Sequence, residues 1–344
     1  MANVQKQFIE FHNAIKLDDE NETLREKREI ILKKLKNKIT EDAPVYEPFV
    51  QGSYALSTGV KPIDGEYDID VGLAFEMSKD DHKPVTAKQW VRDALDGHTD
   101  SVVVIKTPCI TVTYIEDGEP AFHVDLTVYA AHNADGNTYL AKGRPASAAE
   151  NKVWDLSDPK ELMRLVRSHF GDAQDRAQFR RVIRYLKRWK DNKFDTGKHA
   201  APTGIALTVA AVNYFSPSKV DPFTGKRVDN DLLVLMNFVN SLLDAFFTVI
   251  NDKGEYVERL VVRVPTPNYD DLLAKMTDTQ MLSFKNKLTN LRDALVTAED
   301  KVDPVEACQV LQKQFGDDFP IPPKEETAQS KNVAVATGSA SARD

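Results

Sequence analysis

Val50-Gln51-Gly52-Ser53-Tyr54, followed fifteen residues after Ser53 by Asp68-Ile69-Asp70-Val71, is the stretch on which the fold turns. Both acids lie in the β-favouring run Tyr67–Phe75. Side chains alternate along a strand, so Asp68 and Asp70 project on one side, about 7 Å apart. Ile69, Val71 and Leu73 then point the other way into a core, which makes the strand half buried and holds the acids in place. Two carboxylates aimed at one spot repel unless a cation lies between them. Oxygen ligands on a rigid element, with positions left for water and substrate phosphates, are what a hard divalent ion requires.

A third acid is offered by Phe122-His123-Val124-Asp125-Leu126-Thr127-Val128, in which Asp125 is the only carboxylate of an otherwise apolar strand. Desolvating an unpaired charge is expensive, so Asp125 is expected to have either a partner or a metal. Three carboxylates on adjacent strands can hold two Mg²⁺, one activating an attacking hydroxyl and one stabilising a pyrophosphate leaving group, as nucleotidyl transfer requires. An isolated Asp-x-Asp is common by chance. Its specificity comes from the lone strand Asp downstream and the Gly-Ser turn upstream. Gly52 allows close backbone approach and Ser53 offers an N–H and a hydroxyl, so Gln51-Gly52-Ser53 can cradle phosphate oxygens.

Working outward, Asp19–Thr40 reads as one long helix, with Leu24, Ile30, Ile31, Leu32, Leu35 and Ile39 near helical spacing, able to brace two lobes. Short β-favouring runs follow at Val45–Val50, Tyr67–Phe75, Val102–Ile105, Ile110–Ile115 and Phe122–Tyr129, with a helix at Thr86–Leu95. After Asp158-Pro159 the pattern is helical almost to the end, with helices expected at Lys160–His169, Ala173–Lys193, Gly204–Phe215, Asp231–Ile250, Met276–Glu299 and Pro304–Phe315. The organisation expected is N-terminal helices over 1–40, a mixed α+β catalytic core over 41–158, a mostly helical lobe over 159–323 and a disordered polar tail over 324–344.

In Phe179–Lys190 the apolar residues Phe179, Val182, Ile183, Leu186 and Trp189 form a core-facing stripe. Arg180, Arg184 and Lys187 follow i, i+4, i+7 along another side, from which Lys187 can reach phosphates; Arg181 and Arg188 read as a solvated basic face. Ala201-Pro202-Thr203-Gly204 precedes an apolar helix, placing Thr203 at its N-terminus as N-cap, as anion contact, or as both.

The formal charge of −8, from 45 Lys+Arg against 53 Asp+Glu, disfavours obligate binding of long nucleic acid but not of small phosphorylated substrates. Cys109 and Cys308 are the only cysteines, which argues against a disulfide framework or a Cys-rich zinc site and for buried thiols. No run of about 18 apolar residues occurs and Met1–Lys6 lacks a secretory layout, so a soluble protein of the bacterial cytoplasm, away from the membrane, is expected.

Gly52-Ser53, Asp68-x-Asp70 and Asp125 resemble the signature of the DNA polymerase beta-like nucleotidyltransferase superfamily. Ile183–Trp189 and Pro202-Thr203 resemble the phosphate-binding helix and following Pro-Ser step of oligoadenylate and cyclic GMP-AMP synthases. With Cys308–Pro320 they make the chain similar to the bacterial CD-NTases (cGAS/DncV-like) of CBASS anti-phage systems, from the long helix to about Pro323. The resemblance implies a two-lobed α+β fold, with a mixed-sheet catalytic lobe and a helical lobe. It implies that Asp68, Asp70 and Asp125 coordinate two Mg²⁺ (Mn²⁺ able to substitute), that Ser53 touches the triphosphate, and that Lys187 and Thr203 hold its far end. It implies a synthase joining ATP and other NTPs into a cyclic di- or trinucleotide. An ancillary partner, a ubiquitin-transfer-like enzyme or a HORMA-type activator, belongs to such systems. Thr203 replaces the usual Ser, keeping the hydroxyl, and Gly204 stands where some relatives carry a base-stacking aromatic. A template-free polymerase or tRNA-end nucleotidyltransferase, and a catalytically idle nucleotide-sensing scaffold, are the alternatives.

Overall fold

The computed structural model describes residues 2–17, 20–63, 66–195, 201–220 and 222–324. In chain order, helices α1 (Gln5–Ile15) and α2 (Glu20–Lys38) precede strand β1 (Tyr46–Val50), the single turn α3 (Gly52–Ala55) and strand β2 (Tyr67–Phe75). Helix α4 (Pro84–Leu95) leads to β3 (Val104–Ile105), β4 (Ile110–Glu116), β5 (Glu119–Ala130), β6 (Tyr139–Ala141) and β7 (Trp154–Leu156). Then come α5 (Pro159–Ser168), α6 (Ala173–Lys193), α7 (Gly204–Tyr214), α8 (Asp231–Asp244), the strands β8 (Phe247–Ile250) and β9 (Tyr256–Arg259), α9 (Asp278–Asp300) and α10 (Pro304–Phe315). No helix among the described residues is long and apolar enough to cross a membrane.

The described residues gather into two compact units: those within Lys16–Gly171 and Val262–Leu272, and those within Met1–Ile15, Asp172–Val261 and Leu273–Asp344. This partition differs from the sequence-derived one. Helix α1 groups with the C-terminal helices, whereas α2 and α5 group with the sheet. The reason lies in which apolar stripes meet: Leu24, Ile31 and Leu35 of α2 join the core formed by Ile69, Val71, Leu73 and Phe75, while Phe8 and Phe11 of α1 stack among Tyr185, Phe315 and Phe319 at centroid distances of 5.1–6.3 Å. The expected disordered tail lies outside the described residues, apart from Lys324.

In the first unit the sheet runs β1-β2-β5-β4-β3, with β6 pairing β5 and β7 pairing β6. Only β2 and β5 run parallel; the other pairs are antiparallel, so the sheet is mixed. The parallel register sets Asp68 opposite His123 and Asp70 opposite Asp125. Ile69 and Val71 are 1% exposed and Leu73 fully buried, so the alternation read from the sequence places the acids on the other face.

A buried lysine ties this sheet to α4. Lys88 donates to the carbonyls of Lys106 (2.5 Å), Thr107 (2.8 Å) and Gly143 (2.9 Å), matching the three donors of an ammonium. Burial lowers its pKa to about 8. Lys88→Met is expected to leave three carbonyls without that donor, at about 1–3 kcal/mol each. A urea midpoint within error of the wild type would show that water replaces the ammonium at no cost.

In the second unit α6 is amphipathic as expected, with Val182, Ile183, Leu186 and Trp189 fully buried. Arg181 and Arg188 are not a solvated face, however: they are 9% and 3% exposed. Arg181 donates to both oxygens of the fully buried Asp231 (2.6 and 2.8 Å) and to Asp229 (2.8 Å), and Arg188 lies 3.3 Å from Asp318. A helix covered on several sides cannot keep all its cations outside, and both of these are matched by carboxylates. Gln178 and Tyr185 also donate to Asp231. Asp231→Ala is therefore expected to cost about 3–5 kcal/mol, because it strands a buried guanidinium. Replacing Arg181 by Met and Asp231 by Leu together should cost clearly less, and equal losses for single and double variants in urea melts would refute the pairing.

The helix expected over Asp231–Ile250 ends at Asp244. Phe247–Ile250 instead pairs antiparallel with Tyr256–Arg259. Thr248, Val249 and Ile250 are β-branched and favour a strand, and Gly254 (φ 79°) serves the turn between them. The two short strands β6 and β7 were likewise not foreseen from the sequence.

Candidate active site

The acids stand on the β2–β5 ladder, beside the turn that follows β1. Gln51 N–H donates to the Asp70 carbonyl (3.2 Å), which fixes the end of β1 against β2. The Gly-Ser step is not an open turn but the start of the one-turn helix α3. Gly52 has φ 68°, and a Cβ built there would lie 1.9 Å from Asp70 Oδ2. The Asp70 carboxylate thus rests on the bare Cα of Gly52, a closeness only glycine permits.

Gln51 plays a different part from the one expected of its side chain. Its amide N–H donates to Thr127 Oγ1 (2.9 Å) and its carbonyl accepts from Tyr129 O–H (3.0 Å). The side chain is 9% exposed, so it braces the turn from behind. Beyond α3, Arg167 of α5 donates through Nε and Nη2 to the Ala55 carbonyl (3.0 and 2.5 Å), anchoring the other end of the turn.

Asp125 is half-buried and has a hydrogen-bond partner. Thr111, its cross-strand neighbour on β4, donates to Asp125 Oδ1 at 2.5 Å. Asp68 and Asp125 are near enough to feel each other: desolvation by the surrounding protein, and then the charge of Asp125, raise the Asp68 carboxyl above its ordinary value, with His123 and Lys106 pulling the other way. His123 is itself held between Thr113 Oγ1 (3.1 Å) and Glu66 Oε2 (3.2 Å). Cys109 lies behind Thr111 (3.8 Å), and burial with the charge of Asp125 pushes its thiol up to about 12, so it stays protonated at neutral pH.

The fit to a metal ion follows from these contacts. Among the described residues no three His, Cys, Asp or Glu side chains form a ready metal cage. Like charges repel, so a closed ring of carboxylates is not what the bare chain favours. The donors are nevertheless all carboxylate oxygens, two of them mutually repelling and one immobilised by a hydroxyl. This is a hard-cation donor set carried on rigid strands.

Lys187 and Thr203 belong to the other unit, where they come together. Thr203 is the N-cap of α7, its hydroxyl accepting from Ala206 N–H (3.3 Å). A Cβ built on Gly204 would lie 3.4 Å from Lys187 Cε and 3.8 Å from its Nζ. The lysine head therefore stands over the first turn of α7, where the helix dipole already favours an anion. Sequence reasoning missed Thr111, Lys106 and His123. For Thr111 and His123 the signal was the polar positions alternating along β4 and in β5, which reading each strand alone does not pair; Lys106 lies in the connection after β3.

Residues 47–129 match the model of the cyclic GMP-AMP synthase DncV-like nucleotidyltransferase domain. That match spans β1 to β5, the whole carboxylate ladder and the Gly-Ser turn. Over these residues the chain is similar to a DncV-like nucleotidyltransferase domain. A curated relative, the cyclic GMP-AMP synthase of Escherichia albertii, is 28% identical over 176 residues, covering 48% of this chain. The chain spans about a third of that relative's length (36%). The nucleotidyltransferase domain and the helical unit together share the fold of CD-NTases of solved structure. The CD-NTase CdnG of Bradyrhizobium diazoefficiens, in complex with GTP, is matched with TM-score 0.66 and 16% identity over 92% of this chain and 96% of that one. Vibrio cholerae DncV, a cyclic AMP-GMP synthase in complex with nonhydrolyzable GTP, is matched with TM-score 0.66 and 18% identity over 90% and 93%. The α+β, polymerase-beta-like fold expected from the sequence is the fold observed.

Proposed function

We propose that this chain is a metal-dependent nucleotidyltransferase that joins NTPs, at least one of them ATP, into a cyclic di- or trinucleotide, releasing pyrophosphate at each bond. The carboxylate ladder carries this reading: Asp70 opposite Asp125 on parallel strands, with Asp68 two residues before Asp70 and Gly52 beneath its carboxylate. Asp68, Asp70 and Asp125 would hold Mg²⁺. The bound ion supplies an activated hydroxyl nucleophile and charge neutralisation at the leaving pyrophosphate. The chain's own residues do the positioning. Gly52 and Ser53 admit phosphate oxygens beside the acids, and Gln51 and Arg167 keep the turn from shifting. On the second unit, Lys187 and the Thr203 end of α7 offer a cation and a helix dipole that favour phosphate oxygens.

The wider reading places the enzyme in CBASS anti-phage defence in the bacterial cytoplasm. It is supported by the likeness to CD-NTases, with the residues after Pro323 serving as a handle for an ancillary partner. Incubation with labelled ATP, GTP, CTP and UTP and Mg²⁺ or Mn²⁺ is expected to give phosphatase-resistant products whose masses identify the ring. Products that are only linear, or that extend an added RNA, would instead favour the polymerase or tRNA-end alternative. ATP binding without pyrophosphate release would favour the idle sensor.

A further inference from the structure

We propose that Thr111 is a positioning residue that presets the metal-holding carboxylate Asp125. The inference rests on the nucleotidyltransferase reading and concerns how that site is held ready. Asp125 lies on the middle strand of three. On one side the ladder sets Asp70 opposite it; on the other side stands Thr111. The Thr111 hydroxyl, 2.5 Å from Oδ1, fixes the Asp125 carboxylate in one orientation despite the like charge across on β2. A hydroxyl-to-carboxylate bond is charge-assisted and stronger than a neutral one.

The direction of that bond is set by the fold. Threonine is β-branched and stiff at χ1, and Thr111 is 3% exposed on β4, so its hydroxyl has few other places to point. The nearest alternative, Cys109 Sγ at 3.8 Å, is a poor acceptor. A ligand whose rotamer is locked by a neighbour binds its metal without reorganising first, and losing such a neighbour typically costs ten- to a hundredfold in metal affinity or activity.

The test uses Thr111→Val, which keeps shape and β-branching but removes the hydroxyl, and Thr111→Ser, which keeps the hydroxyl. Two readouts are taken on the full chain: Mn²⁺ binding without nucleotide, by paramagnetic titration, and the Mg²⁺ dependence of product formation. Thr111→Val is expected to weaken Mn²⁺ binding and raise the Mg²⁺ concentration for half-maximal rate by about ten- to a hundredfold, with the melting temperature and the KM for NTP nearly unchanged. Thr111→Ser should recover most of both. Wild-type metal dependence in Thr111→Val overturns the proposal, as does a Thr111→Ser variant as impaired as Thr111→Val, since packing alone would then be responsible. If the wild type makes no product but Thr111→Val still loses Mn²⁺, the positioning role stands and the reaction assigned to the site falls.

Discussion

Asp125→Asn is expected to lower the rate of nucleotidyl transfer by at least about a thousandfold, roughly 4 kcal/mol of transition-state stabilisation, while the folded chain becomes no less stable. The two effects separate because of how Asp125 is held. The amide oxygen of Asn can still accept from Thr111, so the bond at 2.5 Å has a replacement acceptor. The charge that raises the Asp68 carboxyl disappears, and with it a repulsion within the fold. Activity and stability should therefore move in opposite senses, which is the signature of a residue kept for chemistry at the expense of the fold. Initial rates with labelled ATP and GTP, read beside thermal melts of the same preparation, check both halves. A rate within tenfold of the wild type, or a melting temperature several degrees lower, would remove Asp125 from the metal-holding set.

Gly52→Ala is expected to cost stability and activity together. Its φ of 68° alone is unfavourable for an L-residue by about 1–2 kcal/mol, and the added methyl would sit 1.9 Å from Asp70 Oδ2, inside any van der Waals contact. Either the turn or the carboxylate must move, and both belong to the proposed site, so a loss of activity of about a hundredfold or more should accompany the lower melting temperature. A double-mutant cycle isolates the cause. In an Asp70→Gly background the methyl meets no carboxylate, and the stability cost of Gly52→Ala should shrink to the backbone contribution alone. An undiminished cost in that background would show that the clash is not with Asp70.

Much of the first unit was legible because its signals are local. Tyr67–Phe75 alternates with period two until the strand sinks wholly into the core, and the observed β2 has those bounds. Helices Ala173–Lys193 and Pro304–Phe315 likewise have the bounds expected, and the structure shows each N-capped by an aspartate, Asp172 and Asp303. The reading failed where a short apolar run fits two periods: Phe247–Ile250 extends the helical pattern of α8 as well as it begins a strand, and only its antiparallel partner Tyr256–Arg259 settles the matter. It failed again at Arg181 and Arg188, because a spacing along a helix reveals its faces but not how many of them are covered.

What the amino-acid order determined by itself is most of the longer strands and helices, the alternation that puts Asp68 and Asp70 on one face, and the choice of glycine at position 52. These depend on neighbours a few residues apart. Only the tertiary structure decided that Asp70 faces Asp125, that Thr111 holds Asp125, that Gln51 braces the turn from inside, and that α1 and α2 join different units. The physical reason is that strand order, register and the pairing of buried polar groups are long-range: each arises between residues far apart in sequence, where the free energy of bringing them together comes from the whole core.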